Sequence, residues 1–171
     1  ERDYRAIQAA EDVYEGQVAD RLLCYLRAMD FSNGTTINML EHSLLTATLA
    51  AEDGRCDEYV ACALLHDIGD LLCPADHGGF AAAIVRPYVS EGHWFMTRYH
   101  PEFQIVHQTA NSRADPSFHL RHRDNPHFEL TCDFCELYDQ KAFDPDAPKG
   151  ALQDFVPIIR RVFEKPHYRK G

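Results

Sequence analysis

Apolar positions in this chain recur every three or four residues and almost never every two. Ile7, Ala10, Tyr14, Val18, Leu22, Tyr25 and Met29 step along one helical face, so the spacing predicts a first helix from about Arg5 to Met29. A turn-forming stretch from Asp30 to Gly34 follows. Thr35 or Thr36 is placed to cap a second helix from Ile37 to about Glu52, which Asp53-Gly54 ends. That second segment carries Leu40, Leu44, Leu45, Ala47, Leu49, Ala50 and Ala51, so it is apolar around most of its circumference and reads as a core helix.

A third helix is expected from Cys56 to Ile68, ending at Gly69 and closed off by Pro74. Asp76 is placed to cap a fourth from His77 to about Val85. Short helices follow from Ser90 to Tyr99 and from Glu102 to about Ala110, then a loop rich in Pro, Asn and Asp from Asn111 to Pro126. Helical spacing resumes over Phe128–Tyr138, and an amphipathic stretch from Leu152 to Phe163 carries Pro157 as a kink or restart. No period-two segment, internal repeat or linker interrupts this pattern. The expected fold is therefore all-α: one domain over residues 1–171, a single compact bundle of about seven or eight helices.

Composition narrows the function classes. With 171 residues, 45% of them hydrophobic and 11% aromatic, the chain can fill the core of one globular domain. Its 17 Lys and Arg stand against 27 Asp and Glu, a formal charge of −10. That is the wrong sign for a sequence-independent grip on nucleic acid or anionic lipid. The longest strongly apolar run, Tyr59–Leu65, falls far short of the roughly 20 residues that span a bilayer. No charged-then-apolar leader follows Glu1, and the default expectation is a soluble cytoplasmic protein acting on a small molecule. Cys24, Cys56, Cys62 and Cys73 lie in apolar helical stretches and read as reduced, buried thiols. Cys132 and Cys135 form a lone CxxC with no second pair for a zinc ribbon, and read as core.

Ten histidines matter chiefly through their placement. The run Tyr59–Leu65 delivers His66-Asp67 directly into the interior, where ionisable side chains need partners. His42 shares a stripe with Leu45 and Leu49 on the most buried helix. His77 follows Asp76 at a helix start, His100 precedes Pro101 at a helix break, and Asp139 lies just beyond Phe134, Leu137 and Tyr138. His93, next to Trp94 on a peripheral helix, is left out of this set. A lone His-Asp doublet is more often a hydrogen-bonded core pair than a ligand pair. Four imidazoles and two carboxylates on five elements, however, make a mixed nitrogen and oxygen donor set suited to iron, manganese or zinc. Six ligands exceed the need of one open catalytic ion. They fit two metals roughly 3.5–4 Å apart, with Asp67 as the bridge.

The segment Leu64–Gly69, with Glu41-His42 upstream and His77, His100 and Asp139 downstream, resembles the HD-domain superfamily over about Ile37 to Pro145. The resemblance implies a helical HD-domain bundle around a metal centre with His42, His66, Asp67, His77, His100 and Asp139 as ligands. The wording of Leu40–Gly54 and of the stretch from His77 to Gly92 is similar to the branch that includes myo-inositol oxygenase and the aminohydroxyphosphonate-cleaving dioxygenases. That branch implies a di-iron oxygenase: two iron ions in a mixed-valent Fe(II)/Fe(III) state, with O₂ as co-substrate, that oxidises and cleaves a small hydroxylated molecule after C–H abstraction. The phosphonate-cleaving enzymes carry a Tyr and a Glu shortly before the first His, where this chain has Ser32 and Thr35. They also carry a Lys four residues after the fourth His, where this chain has Gln104. These departures count against a phosphonate substrate. Gln104, one turn past His100, and Asp70, three residues past Asp67, are the expected substrate-binding positions, the plain alternative being polar side chains that simply face water.

Two other readings share the ligand set. A metal-dependent phosphohydrolase of a nucleotide or small phosphate ester would use manganese or another divalent ion to clamp the phosphoryl oxygens. Arg121-His-Arg123 is the one conspicuous basic candidate for it. A non-catalytic module would use the same residues as a structural metal site or as core hydrogen bonds, an expensive way to build a core because each buried charge needs compensation.

Overall fold

The computed structural model describes residues 2–32, 34, 36–107 and 115–167. The described residues are all-helical, without a strand. In chain order the α-helices are α1 (Arg2–Glu15), α2 (Val18–Ala28), α3 (Met39–Glu52), α4 (Asp57–Leu65), α5 (His77–Val85), α6 (Glu91–Gln104), α7 (Phe128–Phe134) and α8 (Leu152–Val162). No helix among the described residues is long and apolar enough to cross a membrane.

The centre of the bundle is α4, in which every residue from Tyr59 to Leu65 is buried. It packs against α3, α8 and α6, and α6 also packs against α5 and α7. The buried face of α8, Phe155, Ile159 and Val162, repeats every three to four residues and closes the core. Its outer Arg160 and Arg161 pair with Asp20 and Asp57. Pro157 sits inside α8 without breaking it, because it is on the exposed side and the carbonyl it leaves unpaired can face water.

Several boundaries differ from the spacing-based expectation. The first helix divides at Gly16-Gln17 into α1 and α2, where glycine weakens the helix. Only the second half packs: Leu22, Leu23 and Leu26 are buried, whereas Tyr4, Ile7, Val13 and Tyr14 on α1 are exposed. The cap of α3 is Asn38, whose side chain accepts from the Glu41 amide at 2.8 Å while Glu41 accepts in return from the Asn38 amide. This reciprocal capping box displaces Thr36, whose hydroxyl donates to the Phe143 carbonyl instead. Thr35 lies outside the described residues.

Asp76 does not cap α5 with its side chain, because that carboxylate is held by Arg98 at 3.0 Å. The two short helices expected around Pro101 are one continuous helix, α6, followed by a 3₁₀ turn over Ile105–His107. The expected extension to Ala110 and the start of the loop to Ala114 lie outside the described residues. Cys24 and Cys56 are exposed and Cys73 is half-buried, contrary to the expectation of burial: Cys24 lies off the buried Leu22, Leu23 and Leu26 face of α2, and Cys56 precedes the buried run of α4. Cys62 and Cys135 are buried, and burial pushes the Cys62 thiol up to about 12 and the Cys135 thiol well above its ordinary range.

Candidate metal centre

Five elements bring their ends or inner faces to one point beside α4. The helix stops at Leu65, so His66 and Asp67 turn out of its C-terminus into a short 3₁₀ turn, Ile68–Leu71. Gly69 in this turn has no room for a side chain: a Cβ there would meet the His77 carbonyl oxygen at 2.4 Å and the His77 Cα at 2.5 Å. That backbone approach sets the first residue of α5 against Asp67.

His42 comes from the buried face of α3 and His100 from that of α6. Asp139 arrives by a less regular route. After α7 the chain widens into a π-helical turn over Cys135–Asp139, a distortion that shifts the direction of side chains relative to a continuing α-helix. The turn is held from outside by Tyr138, which donates to Asp53 and accepts from Arg55 Nε at 2.7 Å.

The distances among the side chains are short. His42 Nε2 lies 3.2 Å from His66 Nε2, 3.1 Å from Asp139 Oδ1 and 3.5 Å from Asp67 Oδ2. His66 Nε2 lies 3.2 Å from the same Asp67 Oδ2. The other oxygen of Asp67, Oδ1, faces His100 Nε2 at 3.1 Å and His77 Nε2 at 3.4 Å. One carboxylate therefore addresses two histidine pairs, one through each oxygen. All six residues expected from the sequence come together.

Each imidazole is also held from behind. His42 Nδ1 donates to the Ala142 carbonyl at 2.9 Å, His66 Nδ1 to Ala63 at 2.7 Å and His100 Nδ1 to Thr97 at 2.9 Å. The fourth ring differs: His77 Nδ1 meets the carboxylate of Asp70 at 3.2 Å. The carbonyls on which His66 and His100 rest are free for helical reasons. Ala63 belongs to the last turn of α4, where carbonyls lack helical partners. The amide that would have bonded Thr97 is that of Pro101, which has no hydrogen. A hydrogen on each Nδ1 leaves the Nε2 lone pairs directed inward, the tautomer that ligates metal.

This arrangement demands positive charge at its centre. Neutral rings would aim lone pairs at one another and at two carboxylates, so protons or cations must lie between them. Burial opposes charge on His66, yet the adjacent Asp67 and Asp139 raise its pKa well above the usual imidazole range. Burial likewise tends to raise Asp67 and Asp139, but His66 and His100 beside the former and His42 and His66 beside the latter hold both below the ordinary carboxylate range. Asp139 Oδ2 is buried and has no hydrogen-bond partner among the described residues. An orphaned carboxylate oxygen, four inward Nε2 atoms and a two-faced carboxylate fit a pair of cations. Two overlapping triads, His42/His66/Asp139 and His66/Asp67/His100, each have ligand atoms within 4.8 Å of one another.

Access is on the His77 side. That ring keeps 24% of its side-chain surface exposed, against 0–2% for His42, His66 and His100. Asp70 and Asp67 line the same opening. Gln104 ends α6 one turn beyond His100, and its side-chain oxygen is buried without a hydrogen-bond partner among the described residues. Of the basic loop, Arg121 and His122 both bind Glu102. A surface groove walled by Arg86, Trp94 and Arg98 includes none of the six converging residues.

Sequence reasoning missed the supports behind the rings. Pro101 was the one visible signal, as a proline directly after a histidine; the carbonyls of Ala63 and Ala142 carry no side-chain signature. No protein-family model matches this chain, and no curated protein matches it.

Proposed function

We propose that the chain is a non-haem di-iron oxygenase of the HD-domain type, in which His42, His66, Asp67, His77, His100 and Asp139 hold two iron ions. The observation that carries the proposal is the division of Asp67, whose Oδ2 faces His42 and His66 while Oδ1 faces His77 and His100. A carboxylate so placed would be able to hold two ions, and the histidine-rich donor set would suit iron. A bound iron pair would supply one-electron redox chemistry and Lewis acidity, which together suit O₂ activation beside a substrate hydroxyl.

The protein's own residues do the rest. The Nδ1 hydrogen bonds fix each ring, so that the donor atoms keep their places through turnover. Asp139, enclosed on every side, closes the inner end, and the exposed edge of His77 leaves the outer end open to a small molecule. Asp70 holds His77 and adds negative charge at that opening, which favours a neutral or cationic hydroxylated substrate over a dianion. The ion pairs at the centre are all between His and Asp, and Arg121 is already engaged by Glu102. This speaks for oxygenation over phosphate ester hydrolysis.

Metal analysis and EPR on anaerobically purified protein test the reading. Two irons per chain and a coupled Fe(II)/Fe(III) signal are expected, with Asp67→Ala losing at least one ion. Manganese or nickel with phosphatase turnover would replace this function by a hydrolase, and two retained irons in Asp67→Ala would remove the bridge.

A further inference from the structure

A second reactive cluster lies at the far end of α4, about nine residues or roughly 14 Å of helix from His66. Cys56 precedes the first turn of α4, is exposed, and places its Sγ 4.0 Å from His93 Nε2. The opposite nitrogen, His93 Nδ1, lies 2.9 Å from Glu58 Oε2 and 2.9 Å from Ser90 Oγ. Glu58 is itself fixed, because the Ser90 amide donates to the same oxygen at 2.8 Å. Tyr59 presents its ring against the His93 ring, edge to face at 5.6 Å. Three groups from the starts of two helices thus stand in the order thiol, imidazole, carboxylate.

The order has a chemical consequence. A hydrogen on Nδ1 is claimed by Glu58, so Nε2 carries the lone pair and faces the thiol, and the carboxylate steadies the imidazolium that forms when the proton moves. The neighbouring charges leave this relay intact: Asp57 is paired with Arg161 at 2.7 Å, and Arg55 is bound to Tyr138 at 2.7 Å. Among the described contacts, none joins the side chains of Cys56, Glu58 or His93 to those of the six residues at the proposed metal centre. We infer that Cys56, His93 and Glu58 form a thiol-exchange site at which Cys56 takes up small disulfides as a mixed disulfide.

In the exchange, His93 Nε2 removes the thiol proton and the Cys56 sulfur attacks one sulfur of the disulfide. A new S–S bond forms to Cys56 while the bond within the disulfide breaks. The leaving thiolate takes the proton back from His93. Cys56 is oxidised by the disulfide, half of which is reduced to a thiol. Exposure admits the partner, and an acidic surface of net charge −10 favours a cationic disulfide over an anionic one.

The test uses cystamine, with peptide mass mapping to follow each cysteine in the full chain at about pH 7.5. Cys24 is also exposed and has no such base beside it among the described contacts, so it is the internal reference. Cys56 should react at least about tenfold faster than Cys24, and His93→Gln should bring the two rates together. Glu58→Gln should slow Cys56 by a smaller factor. The buried Cys62 and Cys135 should stay unmodified, which reports that each variant is folded. Equal rates at Cys56 and Cys24 in the unaltered protein would overturn the inference, as would an unchanged Cys56 rate in folded His93→Gln. If His93→Gln unfolds, Glu58→Gln decides, and an unchanged Cys56 rate there counts against the site.

Discussion

Asp67 must hold two positions at once, which one carboxylate can do only if its backbone leaves the helix at the right residue. α4 ends at Leu65, and the next two side chains turn inward together. His66 and Asp67 were legible from the sequence because they follow seven apolar residues, and a polar pair placed there cannot avoid the interior. His93 is the instructive contrast: it shares α6 with His100, but Glu58 and Ser90 hold it at the opposite end of that helix. His93→Gln should therefore leave the content of the proposed metal centre unchanged by metal analysis, whatever it does to Cys56. Glu58 also makes folding sensitive to acid. Its burial works against ionisation, but the Ser90 amide and His93 prevail and hold its pKa below the ordinary value of 4.5. A depressed carboxylate pKa means that the unfolded chain binds the proton more readily. The stabilisation is complete above the ordinary value and fades as pH falls through the lower folded one. Urea titrations at a series of pH values should show a shallower loss of stability below about pH 4.5 in Glu58→Gln than in the unaltered protein.

At the level of elements, helix ends and irregular turns build the centre. Pro101 looks in the sequence like a helix break, yet α6 runs through it. The Thr97 carbonyl left without an amide partner is taken up by the His100 ring, so one residue removes a hydrogen bond and its neighbour replaces it. Gly69 is equally specific. Gly69→Ala would force apart the Ile68–Leu71 turn and the start of α5, where the contact is backbone and cannot swing aside. A loss of about 3 kcal/mol in urea denaturation is expected, at the upper end of the overpacking range, together with weaker metal retention as His77 moves away from Asp67. The π-helical turn before Asp139 could not have been read from spacing. The apolar period of Phe128–Tyr138 fits an α-helix equally well, whereas the turn that forms carries Tyr138 bonded to Arg55 and Asp53 from another part of the chain.

Across the whole molecule, burial separates what matters for stability from what does not. Leu26→Ala and Ile159→Ala, both at 0% exposure, should each cost about 2–5 kcal/mol in chemical denaturation. Ile7→Ser on exposed α1 should change stability by no more than about 0.5 kcal/mol, although Ile7 and Leu22 fall on the same face by sequence spacing. Periodicity reports that a face is apolar; it does not report whether another element covers it. What the sequence determined by itself was the all-helical class, the inward placement of α3 and α4, and the six histidines and aspartates that meet, because these follow from local period and from the cost of burying ionisable groups. Tertiary structure alone decided which oxygen of Asp67 faces which imidazole, that the Ala142 carbonyl orients His42, and that Cys56 stands beside His93. Asp67 and His100, Cys56 and His93, and His42 and Ala142 stand 33, 37 and 100 positions apart, and their distances exist only once the helices have packed.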